Sequence, residues 1–216
     1  IMSRDNNGIF NRYVDTTSPV TWPRSRRTAY KSIINTMVSS GNIDKASLFR
    51  KWTIEGSDSC YKEINRALLN DDLQTLQKHA NYINELRQAI RENLSYESIK
   101  VYRGLKLELN EMNQLKVGMA FLWPTFSSTS RNKNIAQVFG SYMFEIDGSS
   151  NDGTYRTDIR NYSAYPEEEV LFYPYSGFCV KNIFKDARVI QLQCMDTMIV
   201  EKFANSSNSS GQSSVF

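Results

Sequence analysis

Residues 165–171 read Tyr165-Pro166-Glu167-Glu168-Glu169-Val170-Leu171, three consecutive carboxylates running into an apolar stretch. The ordinary reading of such a run is a solvated acidic face. Its apolar continuation puts the run at the rim of a core strand, predicted over residues 168–173. Side chains alternate along a strand, so Glu167 and Glu169 are expected on one face and Glu168 on the other. At a rise of about 3.3 Å per residue, their bases would lie about 6–7 Å apart. Two ionised carboxylates that close repel each other, and burying them without a cation is costly. The pair suits a site that stabilises positive charge.

Working outward, two more stretches in the same half stand out. Val101-Tyr102-Arg103-Gly104 ends a strand predicted over residues 99–103. Phe126-Ser127-Ser128-Thr129-Ser130 follows another, predicted over 119–122. Taken singly, an Arg at a strand end reads as a surface ion pair, and a Ser-Thr-Ser run reads as a turn or a helix cap. Further strands are predicted over 142–146, 178–184, 188–194 and 197–202, with a helix over 134–139 and a loop over 147–158. Upstream of residue 97 the period changes. Ala80, Ile83, Leu86, Ile90 and Leu94 form one apolar stripe, and Tyr61, Ile64 and Leu68 form a shorter one. Helices are also predicted over 27–38 and 45–53, the second stopped near Gly56. The architecture expected is α+β, a helical N-terminal half packed on a β-rich half. It would comprise an extension (1–24), a single domain (25–203, helical to about 96) and a Ser/Asn-rich tail (204–216) expected to be disordered.

Composition removes several chemistries. Lys plus Arg is 26 against 23 acidic residues, a net +3, too even to argue for a nucleic-acid or membrane partner. The single histidine, His79, excludes a His-rich metal site, and no pair among Cys60, Cys179 and Cys194 has C-x-x-C spacing, so no metal is expected. The glycines never fall as G-x-G, and no G-K-[ST] occurs, so neither a Rossmann fingerprint nor a P-loop is present. Three cysteines fit either a reduced chain or one disulfide and a free thiol, which leaves secreted and cytoplasmic settings equally open. No apolar run reaches the roughly 18–20 residues of a membrane span. Residues 1–8 are polar and show no signal peptide; an earlier, removed signal stays compatible with the Ile that precedes Met2.

The order Y-R-G, then F-x-S-T-S, then E-x-E-V-L resembles the arginine-specific mono-ADP-ribosyltransferases of the Arg–Ser–Glu class, which include bacterial toxins and animal ecto-enzymes. The resemblance extends upstream to Tyr61, Asn65 and Leu68, similar to the family's Y-x-x-x-N-x-x-L segment, and downstream through 178–194. It implies a split β-sandwich that binds NAD without a Rossmann fold. It also implies roles. Arg103 would anchor NAD through a phosphate, and the backbone of Gly104 would meet the nicotinamide carboxamide. Ser128 would contact the nicotinamide ribose side and orient the catalytic glutamate, Glu169. Thr129 and Ser130 would hold the strand and its loop. Phe139 would stack on nicotinamide or serve as an ordinary core residue. Glu167 would engage the acceptor arginine, with Tyr162 and Tyr165 forming an acceptor surface or packing their own loop. A monomer is expected.

The chemistry fits these residue types. Nicotinamide departs neutral, so no general acid is needed, and a carboxylate at the ribose 2′-hydroxyl stabilises the oxocarbenium-like charge. The acceptor guanidinium is protonated at neutral pH and needs a second carboxylate to aim it and take its proton. Glu rather than Gln at position 167 marks arginine specificity in the family. His79 lies far in sequence from these motifs and reads as structural. A glycan at the Asn161 sequon would sit about six residues from Glu167 and hinder protein acceptors, so a non-glycosylated context or an unoccupied sequon is expected. The competing readings are an NAD glycohydrolase on the same scaffold and an inactive NAD-binding or interaction module.

Overall fold

Apolar spacing of three and four builds the first half as helices, and capping residues set their limits. The computed structural model describes residues 28–34, 44–54, 60–107, 109–150 and 152–196. Within them, the helical half comprises α1 (Thr28–Ile34), α2 (Lys45–Thr53), α3 (Tyr61–Asn70), α4 (Leu73–Lys78) and α5 (Ala80–Glu92). Asp44 and Asp72 cap α2 and α4 by accepting the backbone N–H groups of Ser47 and Thr75. Asp71 ends α3 in the left-handed region (φ 53°), and its carboxylate accepts the first N–H groups of α1, from Thr28 and Ala29. A helix end is thus satisfied by a side chain more than forty residues away. The α5 stripe buries Ile83, Leu86 and Ile90 completely.

The second half supplies β1 (Ile99–Leu105), β2 (Ala120–Trp123), β3 (Ser127–Ser130), β4 (Tyr142–Gly148), β5 (Arg156–Asp158), β6 (Glu169–Phe172), β7 (Ser176–Phe184) and β8 (Val189–Met195). Short helices α6 (Leu109–Gln114) and α7 (Lys133–Gln137) interrupt them. The strand order is β2-β7-β8-β4-β1-β3-β6-β5, antiparallel except for the parallel pair β4 and β8. β1 and β3 share one registered pair, Tyr102 opposite Ser130. The sheet therefore divides there into a five-stranded and a three-stranded part, which is the split β-sandwich. One core lies between the two parts, filled by Val101, Phe144, Val170, Phe172, Phe178 and Ile190 among others. The other lies between the helices and the outer face of the three-stranded part, and it includes Trp52, Ile64, Leu86, Phe126 and Leu171. Alternation along β6 explains the sharing, with Val170 and Phe172 facing one core and Leu171 the other.

Several expectations need correction. The Ser-Ser-Thr-Ser run is strand β3, not a turn, and all four residues are buried. Its hydroxyls make this possible by bonding backbone: Thr129 Oγ1 donates to Val170 O (2.7 Å) and Ser130 Oγ to Glu167 O (2.6 Å). The 147–158 loop contains strand β5, and helices α4 and α6 had no counterpart in the sequence reading. The helix at 134–139 is Lys133–Gln137, and of the helix expected over 27–38 the described part is Thr28–Ile34. The strand at 197–202, the stop near Gly56, the 1–24 extension and the 204–216 tail lie outside the described residues.

Candidate active site

Three strands bring the three motifs to one place. β1 carries Arg103, β3 carries Ser128 to Ser130, and β6 opens on Glu169. Arg103 shares the face of Val101 and Leu105, so its side chain enters the space between the sheet parts and is 1% exposed. Its guanidinium lies 4.8 Å from the Trp123 ring centroid and donates from Nη1 to Ser128 O at 2.8 Å. Its Nε is buried with no hydrogen-bond partner. Burial pulls the guanidinium pKa down to about 10, and the neighbouring Glu169 carboxylate opposes that pull. The cationic and anionic members of the expected site therefore converge.

The register fixes where each serine stands. Ser130, not Ser128, stands opposite Glu169, while Ser128 stands opposite Leu171 and meets Arg103 through its carbonyl. Thr129 Oγ1 bonds the β6 backbone and Ser130 Oγ the backbone of the loop just before it, as described above. Upstream, Asn65 Nδ2 donates to Phe126 O at 3.3 Å, which ties α3 to the start of this motif.

Glu167 and Glu169 do not stand on one strand face as expected. β6 begins at Glu169, and Glu168 takes φ 48°, a left-handed conformation that interrupts the alternation. Glu169 is 1% exposed and held in the sheet, whereas Glu167 is half-buried in the loop before it. Tyr162 packs its ring 5.5 Å from Phe49 of α2, while Tyr165 is 40% exposed. Gly104 owes its identity to packing: a Cβ there would collide with the Ala136 carbonyl of α7. Phe139 lies in a small satellite cluster with Tyr102, Ala136 and Met143.

Sequence reasoning missed Trp123, Arg131 and Asn132. Trp123 follows the predicted 119–122 strand and ends β2, and nothing local signals that an arginine will lie over it. Arg131 and Asn132 directly follow the Ser-Thr-Ser run, a position that could have drawn attention to them. Two recesses, of about 400 Å³ beside Tyr96, Asp152 and Tyr155 and about 570 Å³ beside Asn84, Arg87 and Tyr173, share no lining residue with the Arg103–Glu169 site. His79 bridges helices by bonding Glu63 (2.8 Å), in keeping with a structural part. Cys60, Cys179 and Cys194 are free thiols. Among the described residues, no group of His, Cys, Asp and Glu is placed to hold a metal, and no helix is long and apolar enough to cross a membrane.

A sheet split around a buried arginine and glutamate defines the ADP-ribosyltransferase class of fold. The family model for the ADP-ribosyltransferase exoenzyme matches residues 55–192, more than half of the chain, and the chain belongs to that family. Solved structures agree on the fold. The Vis toxin from Vibrio splendidus, an ADP-ribosyltransferase, is 22% identical with TM-score 0.61, covering 82% of this chain and 84% of that one. A eucaryotic mono-ADP-ribosyltransferase is 19% identical with TM-score 0.54, covering 78% and 74%. The C3stau2 protein from S. aureus, solved with NAD, is 16% identical with TM-score 0.55, covering 79% and 93%. No curated protein matches the sequence. The family makes the chain a transferase with NAD as co-substrate.

Proposed function

We propose that the protein transfers ADP-ribose from NAD to the guanidinium of an arginine, with release of nicotinamide. The observation that carries this reading is the convergence of Arg103 and Glu169 in the split of the sheet, with Glu167 two residues away on an adjoining loop. Arg103 anchors the dinucleotide through a phosphate, and Gly104 and Ser128 line its nicotinamide end. Bond cleavage separates ribose C1 from the nicotinamide nitrogen, whose electron pair leaves with the neutral ring. Positive charge spreads over C1 and the ring oxygen. The Glu169 carboxylate at the 2′-hydroxyl stabilises that charge in a buried setting where electrostatic contacts are strong.

The acceptor guanidinium then attacks C1 and loses a proton. Glu167 binds and aims it and takes that proton. Exposed Tyr165 offers an aromatic face beside it. An arginine acceptor is further supported by Vis, which has been solved in complex with agmatine and is 20% identical to this chain.

The test incubates the protein with NAD and agmatine and measures released nicotinamide and the agmatine adduct separately. Adduct forming in step with nicotinamide is the expected result. Release without adduct would make the protein a glycohydrolase, and neither product would make it a binding module.

A further inference from the structure

The residue that follows the Ser-Thr-Ser strand holds both ends of the loop that carries Glu167. Arg131 leaves β3, and its backbone N–H donates to Glu168 O at 3.1 Å. Its side chain reaches Asp158, the last residue of β5, with Nε on Oδ2 at 3.0 Å. A terminal nitrogen of the same guanidinium pairs with Glu97, two residues before β1. Asp158 is where the 159–168 loop departs and Glu168 is where it returns. One residue therefore spans the mouth of the loop and ties it to the entry of β1. Neighbours reinforce the return end, through Ser130 Oγ on Glu167 O and Asn132 Nδ2 on Glu168 Oε1 at 3.3 Å. The departing end carries a second cation, Arg160, also paired with Asp158. The Arg131 and Asp158 side chains are only 23% and 16% exposed, so solvent screens their contact less than a surface pair.

We propose that Arg131 is a positioning residue that latches the acceptor loop and thereby sets how the enzyme divides NAD between arginine transfer and hydrolysis. This role rests on the arginine-transfer reading above. The division follows from where the two glutamates sit. Glu169 is fixed by the pairing of β6 with β3, opposite Ser130, so a loosened loop leaves it in place. Glu167 belongs to the loop and moves with it. Losing the latch spoils the aim of the acceptor while the ribose carboxylate stays in position.

The test compares Arg131→Ala and Arg131→Lys with wild type, using NAD and agmatine. Arg131→Ala should lower adduct formed per nicotinamide released about tenfold, the scale of a slight misplacement, and keep hydrolysis within about twofold. Arg131→Lys keeps one charge contact without the fork and should recover part of the ratio. Should the Ala variant not fold, the Lys variant carries the comparison. Hydrogen exchange provides a readout independent of turnover: amides of 159–168 should exchange faster in the variant, and those of β6 should not change. Parallel loss of both activities, an unchanged ratio, or unaltered exchange in the loop would overturn the latch. Wild type forming no adduct would instead overturn the arginine reading and the partition with it, and exchange would still decide whether Arg131 holds the loop.

Discussion

Removing a guanidinium from water is expensive, and the protein offsets the cost at Arg103 only in part. The cation gains the Trp123 face, one carbonyl and the field of Glu169, yet Nε remains without a partner. A planar fork held in this way can meet a phosphate with two N–H groups, which a lysine cannot do. Arg103→Lys should therefore weaken NAD binding about tenfold by isothermal titration, the worth of one charge-assisted contact. Unchanged affinity would remove Arg103 from the site. The two glutamates should separate by activity. Glu169→Gln should lower nicotinamide release and agmatine transfer together, by about two orders of magnitude, as for loss of a preorganised electrostatic contact. Glu167→Gln should abolish transfer and largely spare release. Equal losses from the Glu167 substitution would contradict the separate tasks given to the two carboxylates.

At the scale of elements, the seam between β3 and β6 positions the site, and Glu168 is its special residue. Its φ of 48° lets the chain leave the loop and enter the strand so that Glu169 pairs opposite Ser130. A left-handed residue costs about 1–2 kcal/mol when it carries a Cβ, and most when that Cβ is branched. Glu168→Gly should keep the fold and both activities, whereas Glu168→Val should lower stability by about 1–2 kcal/mol in urea unfolding and reduce both activities. Equal behaviour of the two variants would show that the backbone turn is not what places Glu169. The same seam shows what the sequence could reveal. α5 was legible because Ile83, Leu86 and Ile90 repeat at helical spacing toward one core. The carboxylate run and Arg103 were legible as chemistry once their order was compared with a family. β3 was not, because a buried strand of Ser and Thr lacks apolar alternation and matches a turn in composition. β5 was hidden likewise, a three-residue polar edge strand whose Arg156 is buried against Asp152. Nor can three glutamates in a row announce which one turns left-handed; that residue is the one just before β6 begins to pair with β3.

Across the whole molecule, the question is whether the helical and β-rich halves are separate units. The distribution of buried side chains argues for one. The core under the helices includes Leu122, Phe126, Leu171 and Tyr175 from the sheet half, so the outer face of β6 is covered only when α2, α3 and α5 are in place. β6 is common to both cores, and the two sheet parts meet at the single Tyr102–Ser130 pair beside the site. Loss of either core would strand the other's apolar surface in water, which couples their unfolding. Two tryptophans report on them separately. Trp52 sits under the helices, 4.9 Å from Phe126, and Trp123 sits between the sheet parts, 5.5 Å from Phe144. With Trp22 replaced by Phe throughout, Trp52→Phe leaves Trp123 as the only tryptophan, and Trp123→Phe leaves Trp52. In each variant the fluorescence melt should coincide with that variant's own far-ultraviolet circular dichroism melt to about 1 °C, the mark of a single cooperative transition. If instead the fluorescence of the variant that keeps only Trp52 is lost in a separate transition ahead of its circular dichroism melt, the helical half is an independent domain.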